Sequence, residues 1–422
     1  MVIFLIDDLG AQDLGCYGNG LIDTPNIDRL TTEGMCWTQA YSACPVCSPT
    51  RVAILTGKSP ARVRFTGHIT AIDRHRHPQD NAIIPPDDRM DIPLEEVTLA
   101  EALKPAGYTS AHIEKWHVGH KGFFPEDQGF DRNVEGNRHG APTTHFYLWK
   151  EGDQEVPLKG GKEGDYLADR LTDEAIDFIE ENRKGPFFVY LSHYAVHTPL
   201  EAPQGLVGKY QKRLAANQRI HPVYAAMVEN MDTNVGRILD SLDRLDLRAD
   251  TLVIFTSDNR PFRLGKGHLY EGGLRIPLIV RWPGKVTAGS VSRTPVISED
   301  LYATVVSVVE GAVPGSPLDG RTLAGEFEGA GTDKADLHWY YPHYAPQRNR
   351  PGAAIRSGTM KLIEFYDPPE FELYDLATDP GEATNLAAMR TAEVESLQVK
   401  LDAWLDDVNP IRHTANPLRK EN

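Results

Sequence analysis

Two apolar runs of this chain end in oxygen-rich pairs. Asp7 and Asp8 follow Val2–Ile6, and Asp258 and Asn259 follow Leu252–Thr256. Three carboxylates and an amide oxygen brought to one place would suit a hard divalent cation, Ca2+ or Mg2+. Either pair alone is as well read as a cap on the helix or turn that follows it. Two other runs end in basic groups. Tyr108–Ile113 leads into Glu114-Lys115-Trp116-His117, and Phe187–Leu191 into Ser192-His193-Tyr194-Ala195-Val196-His197-Thr198-Pro199. Singly these are ordinary surface or packing residues; together they would place a Lys and two His on the rim that carries the acids. His117 and His120 raise zinc as an alternative, but the other candidate ligands are hard oxygens rather than Cys or His.

The segment with the most specific chemistry is Cys47-Ser48-Pro49-Thr50-Arg51. Ser48-Pro49 reads as an N-cap with Pro at the first helical position, so Cys47 would sit just before a helix that ends near Gly57. A helix N-terminus favours an anion, and Arg51, one turn in, would brace a negative group. Two other readings stand beside this one: a buried, inert Cys, and a redox pair formed by Cys44 and Cys47 at a helix start.

Stepping outward from these residues, the elements that must hold them follow a pattern. Strand-length runs (the four above and Ile276–Val280) alternate with helix-like segments, which predicts a parallel sheet covered on both faces. In such a sheet ligands bind beyond the carboxyl ends of the strands, where all these residues fall. Thr24-Pro25 reads as a helix start; Thr98 with Glu101 is a capping box, and Gly107 closes that helix. Asp165–Asn182 and Pro222–Leu245 are longer amphipathic segments. The stretches 62–93 and 132–164 lack periodicity, as functional rims or mobile segments do. After about residue 331 the pattern changes to short strands, Leu337–Tyr341, Ala353–Arg356 and Met360–Phe365, with a turn at Ser357-Gly358 and a final helix over Ala392–Asp407. The expected fold is therefore α/β: a large, mostly parallel sheet flanked by helices over residues 1–331, with a smaller α+β domain containing an antiparallel sheet over 332–422.

The 422 residues, 41% hydrophobic, suffice for one large core and a smaller one. A formal net charge of −16 argues against general nucleic-acid or anionic-membrane binding. An anionic substrate would have to be met by a local cationic pocket. No run reaches the roughly 18 apolar residues of a membrane helix. No signal peptide is visible, since Val2–Ile6 is too short for one and runs into acids. Four cysteines are too few for a disulfide framework in a chain of this length.

Taken together, these motifs resemble the type I, formylglycine-dependent sulfatase family of the alkaline-phosphatase-like superfamily. Cys47-Ser48-Pro49-Thr50-Arg51, followed by Leu55-Thr56-Gly57, is similar to its signature. Ile6-Asp7-Asp8-Leu9-Gly10, Lys115-Trp116-His117, His197-Thr198-Pro199 and Ser257-Asp258-Asn259 resemble its metal and catalytic motifs in the same order, and Gly267–Pro283 and Glu372–Leu386 are family-like. The resemblance implies that a maturation enzyme oxidises Cys47 to formylglycine. It implies that Asp7, Asp8, Asp258 and Asn259 hold one divalent cation, Ca2+ ahead of Mg2+, with residue 47 as a further ligand. Arg51 would stabilise the aldehyde hydrate, Lys115 and Lys266 bind sulfate oxygens, His117 assist turnover of the hydrate, and His197 protonate the leaving oxygen.

The implied substrate is a sulfated sugar or oligosaccharide, and the family resemblance points to a periplasmic or secreted protein. Arg138, His139, His145 and His268, with His68, Arg74 and His75, are the candidates for sugar contacts. Two alternatives share the scaffold: a phosphodiesterase or phosphonate hydrolase, and a non-catalytic protein that binds sulfated glycans. Two departures stand out. Glu114 occupies a position where relatives often carry Gly, and Arg260-Pro261 follows Asn259 where Gly is common. The second puts the role of Lys266 in question, with Arg263 or His268 able to share it.

Overall fold

The first strand, Val2–Ile6, is buried along its whole length and pairs in parallel on both sides, with Phe187–His193 and with Val253–Ser257. Ile6 stands opposite both His193 and Ser257, so three strands end at the same level. Thr109–Glu114 pairs in parallel with Phe187–His193, Glu114 opposite Ser192, and Arg132–Val134 adds the last parallel strand. That register carries Asp7, Lys115, Tyr194 and Asp258 onto one rim. On the other side, Arg275–Arg281 runs antiparallel to Val253–Ser257 and to Met35–Tyr41, and Ser290–Ser292 and Val296–Ile297 pair with the latter. The large sheet is thus mixed, and the expected strand around Ile276–Val280 is its antiparallel member. The computed structural model describes all residues except 70–80, 148–149, 152–153, 156–157, 159–160, 216–219, 261–264, 331–334 and 420–422.

Side-chain alternation along the first strand divides the core. Val2, Phe4 and Ile6 pack against Pro25–Glu33, Leu167–Asn182 and Pro222–Arg244. Ile3 and Leu5 pack against Cys47–Thr56, Leu99–Leu103 and Glu299–Val308. A run buried on both faces is what helices on both sides of a sheet demand.

The capping box at Thr98 and Glu101 is present, and Gly107, at φ 81°, ends the short 3-10 turn that extends that helix. The first helix differs from expectation. Thr24 does not cap it; its hydroxyl accepts from Gly15 N, while the carboxylate of Asp232, from a later helix, accepts from Asn26 N and Ile27 N.

The C-terminal part is a four-stranded antiparallel sheet, Leu337–Tyr341, Gly352–Ser357, Met360–Tyr366 and Pro369–Asp375, covered by the helix Thr391–Val408. It packs against the main sheet through Trp339, whose ring meets Tyr41 edge-on and whose Nε1 donates to Ser42 O at 2.8 Å. Among the described residues, no helix is long and apolar enough to cross a membrane.

Candidate active site

Cys47 is the first residue of its helix, with Val46 as N-cap, rather than the residue before it. The helix is buried throughout and ends at Gly57 in the left-handed conformation. Cys47 Sγ lies 3.5 Å from His117 Nδ1, and Ser48 Oγ lies 3.2 Å from the same nitrogen. Arg51 crosses to the next strand end. Its Nε and Nη2 engage Asp258 Oδ2 at 2.9 and 2.7 Å, and its Nη1 donates to Lys115 O at 2.7 Å and to Ser192 Oγ.

The acids gather as their strand ends require. Lys115 Nζ donates to Asp7 Oδ2, Lys266 Nζ donates to Asp8 Oδ1 at 2.7 Å, and Asn259 Nδ2 donates to Asp258 Oδ1 at 2.7 Å. His197 Nε2 is 3.6 Å from Asp8 Oδ2, while its Nδ1 is 2.9 Å from Thr198 O. A carbonyl can only accept, so Nδ1 carries a proton, which leaves Nε2 turned toward the acids. Asp7 Oδ1 and Asn259 Oδ1 are buried with no protein partner. Among the described residues, two groups of side chains have ligand atoms close enough to share an ion: Asp7, Asp8 and His197, and separately Cys47, His68 and His117.

Three non-glycine residues here take left-handed backbone, Asp8 at φ 60°, Glu114 at 75° and His117 at 55°. Such φ values are uncommon for residues with a Cβ and mark places where the fold forces the chain. At Glu114 this explains the departure seen in the sequence, since glycine adopts that conformation without strain. Glu114 instead makes use of its side chain: Oε2 accepts from Tyr194 N at 2.8 Å and faces His193 Nδ1 at 3.3 Å.

Electrostatics reflects crowding. Burial alone would push the Cys47 thiol up, but Lys115, Lys266, His68 and His117 outweigh it and hold the thiol well below its ordinary range. Cys44 has no such neighbours; burial raises its thiol well above the usual value. All four cysteines are free, so Cys44 and Cys47 form no disulfide. Burial and the adjacent Asp7 push the Asp258 carboxyl up to about 6, against Arg51 and Lys115. Burial holds His117 neutral, well below its ordinary pKa.

The remaining sequence candidates are scattered. Arg138 is exposed, and His139 is half-buried with its carbonyl accepting from Tyr194 OH at 3.1 Å. His145 is in the interior, stacked on Tyr166 and hydrogen-bonded to the His197 backbone, so it shapes the segment behind His197. His268 is stacked on Tyr270. His120 pairs with Asp91 at 2.8 Å and is not a partner of His117. Lys266 itself is present in the acidic cluster despite the unusual residues before it. Arg74, His75, Pro261 and Arg263 lie outside the described residues. Sequence reading placed His68 among sugar contacts; its ring meets His117 edge-on at 4.8 Å, beside Cys47. It missed Ser192, whose only signal is a hydroxyl at the end of an otherwise apolar run.

A parallel-sheet rim that gathers carboxylates, lysines and histidines around a cysteine at a helix N-terminus belongs to hydrolases of charged esters. The comparisons narrow the class. A family model described as Sulfatase matches residues 1–312, and one described as N-sulphoglucosamine sulphohydrolase, C-terminal, matches residues 263–410. The chain is 34% identical to the N-acetylgalactosamine-6-sulfatase of Canis lupus familiaris, covering 94% of this chain and 83% of the relative. It is 30% identical to a sulfatase of Formosa agariphila, covering 96% and 88%. A crystal structure of Ps i-CgsB in complex with k-i-k-neocarrahexaose superposes with a TM-score of 0.80 at 25% identity, covering 96% of this chain and 92% of that one. The chain belongs to the sulfatase family. It is a hydrolase of sulfate esters.

Proposed function

We propose that this protein removes sulfate from a sulfated sugar or oligosaccharide, with residue 47 acting as formylglycine made by a maturation enzyme and one hard divalent cation, Ca2+ ahead of Mg2+, held by Asp7, Asp8, Asp258 and Asn259. The observation that carries this reading is the pair of buried, unpartnered oxygens, Asp7 Oδ1 and Asn259 Oδ1, at the strand ends that also hold Asp8 and Asp258. Buried polar atoms are rarely left without a partner, and an all-oxygen set rich in carboxylates is the donor chemistry of Ca2+. The raised Asp258 carboxyl points the same way: burial first and the neighbouring Asp7 second disfavour its charge, and a cation would offset both.

A bound cation would supply Lewis-acid polarisation of a sulfuryl oxygen and acidify a coordinated hydroxyl. A hydrated aldehyde at residue 47 would supply one hydroxyl to attack sulfur and a second whose deprotonation releases sulfate. The rest falls to side chains already in place. Lys115 and Lys266 grip sulfate oxygens; both ammonium groups are buried, where charge interactions are strong. His117, neutral and adjacent to residue 47, accepts a proton there. His197, half-buried at the mouth, would in its doubly protonated form give the Nε2 proton to the leaving oxygen, its Nδ1 proton staying on the Thr198 carbonyl. Arg51 holds Asp258 and the Lys115 carbonyl in register.

The sugar part of the reading is supported by relatives named for N-acetylgalactosamine-6-sulfate and by a structural neighbour in complex with k-i-k-neocarrahexaose. A panel of defined sulfated oligosaccharides, assayed with enzyme verified as converted at residue 47, tests it. Sulfate release from at least one member is expected. Preference for phosphonate or phosphodiester substrates, or binding without turnover, would overturn it.

A further inference from the structure

The second group of ligand atoms differs in chemistry from the acidic one. Cys47 Sγ and ring nitrogens of His68 and His117 all lie within 4.8 Å of one another. Sγ is 3.5 Å from His117 Nδ1. Around a tetrahedral zinc, with sulfur at ~2.3 Å and nitrogen at ~2.0–2.1 Å, two such ligands stand roughly 3.5 Å apart. The set is one thiol and two imidazoles, which prefers a borderline cation over Ca2+.

We propose that the chain bearing an unmodified Cys47 binds one Zn2+ through Cys47 Sγ, His68 and His117, with solvent as the fourth ligand. The thiolate is the ligand; whatever proton the sulfur carries is released to water as the metal–sulfur bond forms. Two of the ligands are held in advance. Cys47 is fixed as the first residue of a buried helix, and His117 N donates to Asn137 O at 2.9 Å while its ring is hemmed in by Gly140. His68 is half-buried and offers the side from which an ion enters. Cys44 does not compete, since its sulfur is turned to Thr66 O. Conversion of Cys47 removes the sulfur ligand, so the site would exist only before maturation; this last clause rests on the formylglycine reading above.

The test uses full-length protein made without a maturation enzyme, in excess Ca2+ so that the carboxylates are occupied. Zn2+ is titrated by calorimetry with metal analysis, Co2+ serves as a spectroscopic probe, and iodoacetamide labelling of Cys47 is read by peptide mass spectrometry. One Zn2+ per chain is expected, with Cys47 shielded from labelling and a thiolate-to-cobalt charge-transfer band. Cys47→Ser and His68→Ala should each weaken Zn2+ binding by more than the roughly 10–100-fold that changes around a ligand cost. His197→Ala, in the other cluster, should leave Zn2+ affinity unchanged. Should Cys47→Ser fail to fold, His68→Ala and the labelling of the unaltered chain still decide. Zinc bound equally well after Cys47→Ser, or Cys47 labelled at the same rate with and without zinc, would overturn the proposal. Calcium content of the same samples separates the two readings: no zinc bound by the unaltered chain, with calcium retained, sinks this one alone.

Discussion

His197 and the two lysines touch different parts of a sulfate ester, and that difference is measurable. A sugar oxygen needs a proton as the S–O bond breaks, whereas an activated aryl oxygen leaves as a stabilised phenolate. His197→Ala should therefore lose about 10²–10⁴-fold on a sugar sulfate and far less on an aryl sulfate. Lys115→Ala or Lys266→Ala should slow both substrates together, because both share the sulfuryl group. Equal losses for His197→Ala would make it a sulfate-binding or structural residue. Asp258 would be one of the cation's ligands and also anchors Arg51 at 2.7 Å. Asp258→Ala should abolish both bound metal and activity, read by metal analysis and sulfate release; retained stoichiometry would show that the cation sits elsewhere. Asp7, Lys115 and Asp258 were legible in the sequence because each lies within two residues of the end of an apolar run, and strand ends align in a parallel sheet; Lys266 came only from the family resemblance. Their ion pairing was not: that Arg51 would clasp Asp258, and that Lys115 and Lys266 would meet Asp7 and Asp8, depends on contacts between residues more than a hundred positions apart.

Loops and helix starts set the fine geometry. Gly140 lies in the aperiodic stretch after residue 132, where sequence offered no element to place. A Cβ there would meet His117 Cε1 at 2.5 Å and Nε2 at 2.7 Å, so the ring would have to move. Gly140→Ala should lower kcat by about 100-fold, as misplacement of about 1 Å in a catalytic group does. Its cost in stability should stay within about 1–3 kcal/mol, the range of modest overpacking. Normal kcat with a displaced His117 would remove that residue from the reaction. The helix ends show why local signals sufficed in some places and failed in others. Thr98 and Glu101 cap within three residues, so the pattern is contained in the sequence. The helix after Thr24 takes its cap from Asp232, on another helix, and no local pattern announces that. The strand Met35–Tyr41 was missed for a related reason: Thr38 and Gln39 interrupt its apolar run, and its place in the sheet comes from tertiary pairing.

At the scale of the whole molecule, the acidic chain gathers basic groups at one rim. The cations Arg51, Lys115 and Lys266 converge there, with the imidazoles of His117 and His197 beside them, although the formal net charge is −16. The fold also buries His145 behind the site, and this couples stability to pH. Burial lowers His145 to about 4 in the folded protein, against an ordinary value near 6.5. Between those values the unfolded chain binds a proton that the folded one does not, so stability is retained above about pH 6.5 and is lost as pH falls toward 4. Full protonation of the unfolded side chain costs the fold about 3 kcal/mol. His145→Gln should flatten the pH dependence of the urea midpoint across this window; an unchanged slope would place His145 in contact with water.

Conversion of Cys47 is the step on which the proposed chemistry stands. Peptide mass spectrometry across Cys47-Ser48-Pro49-Thr50-Arg51, made alongside sulfate-release assays on the same preparations, measures it directly. Loss of sulfur and gain of oxygen at residue 47 should rise in proportion to activity when the maturation enzyme is supplied in increasing amounts. A fully active preparation whose Cys47 remains a thiol would contradict it.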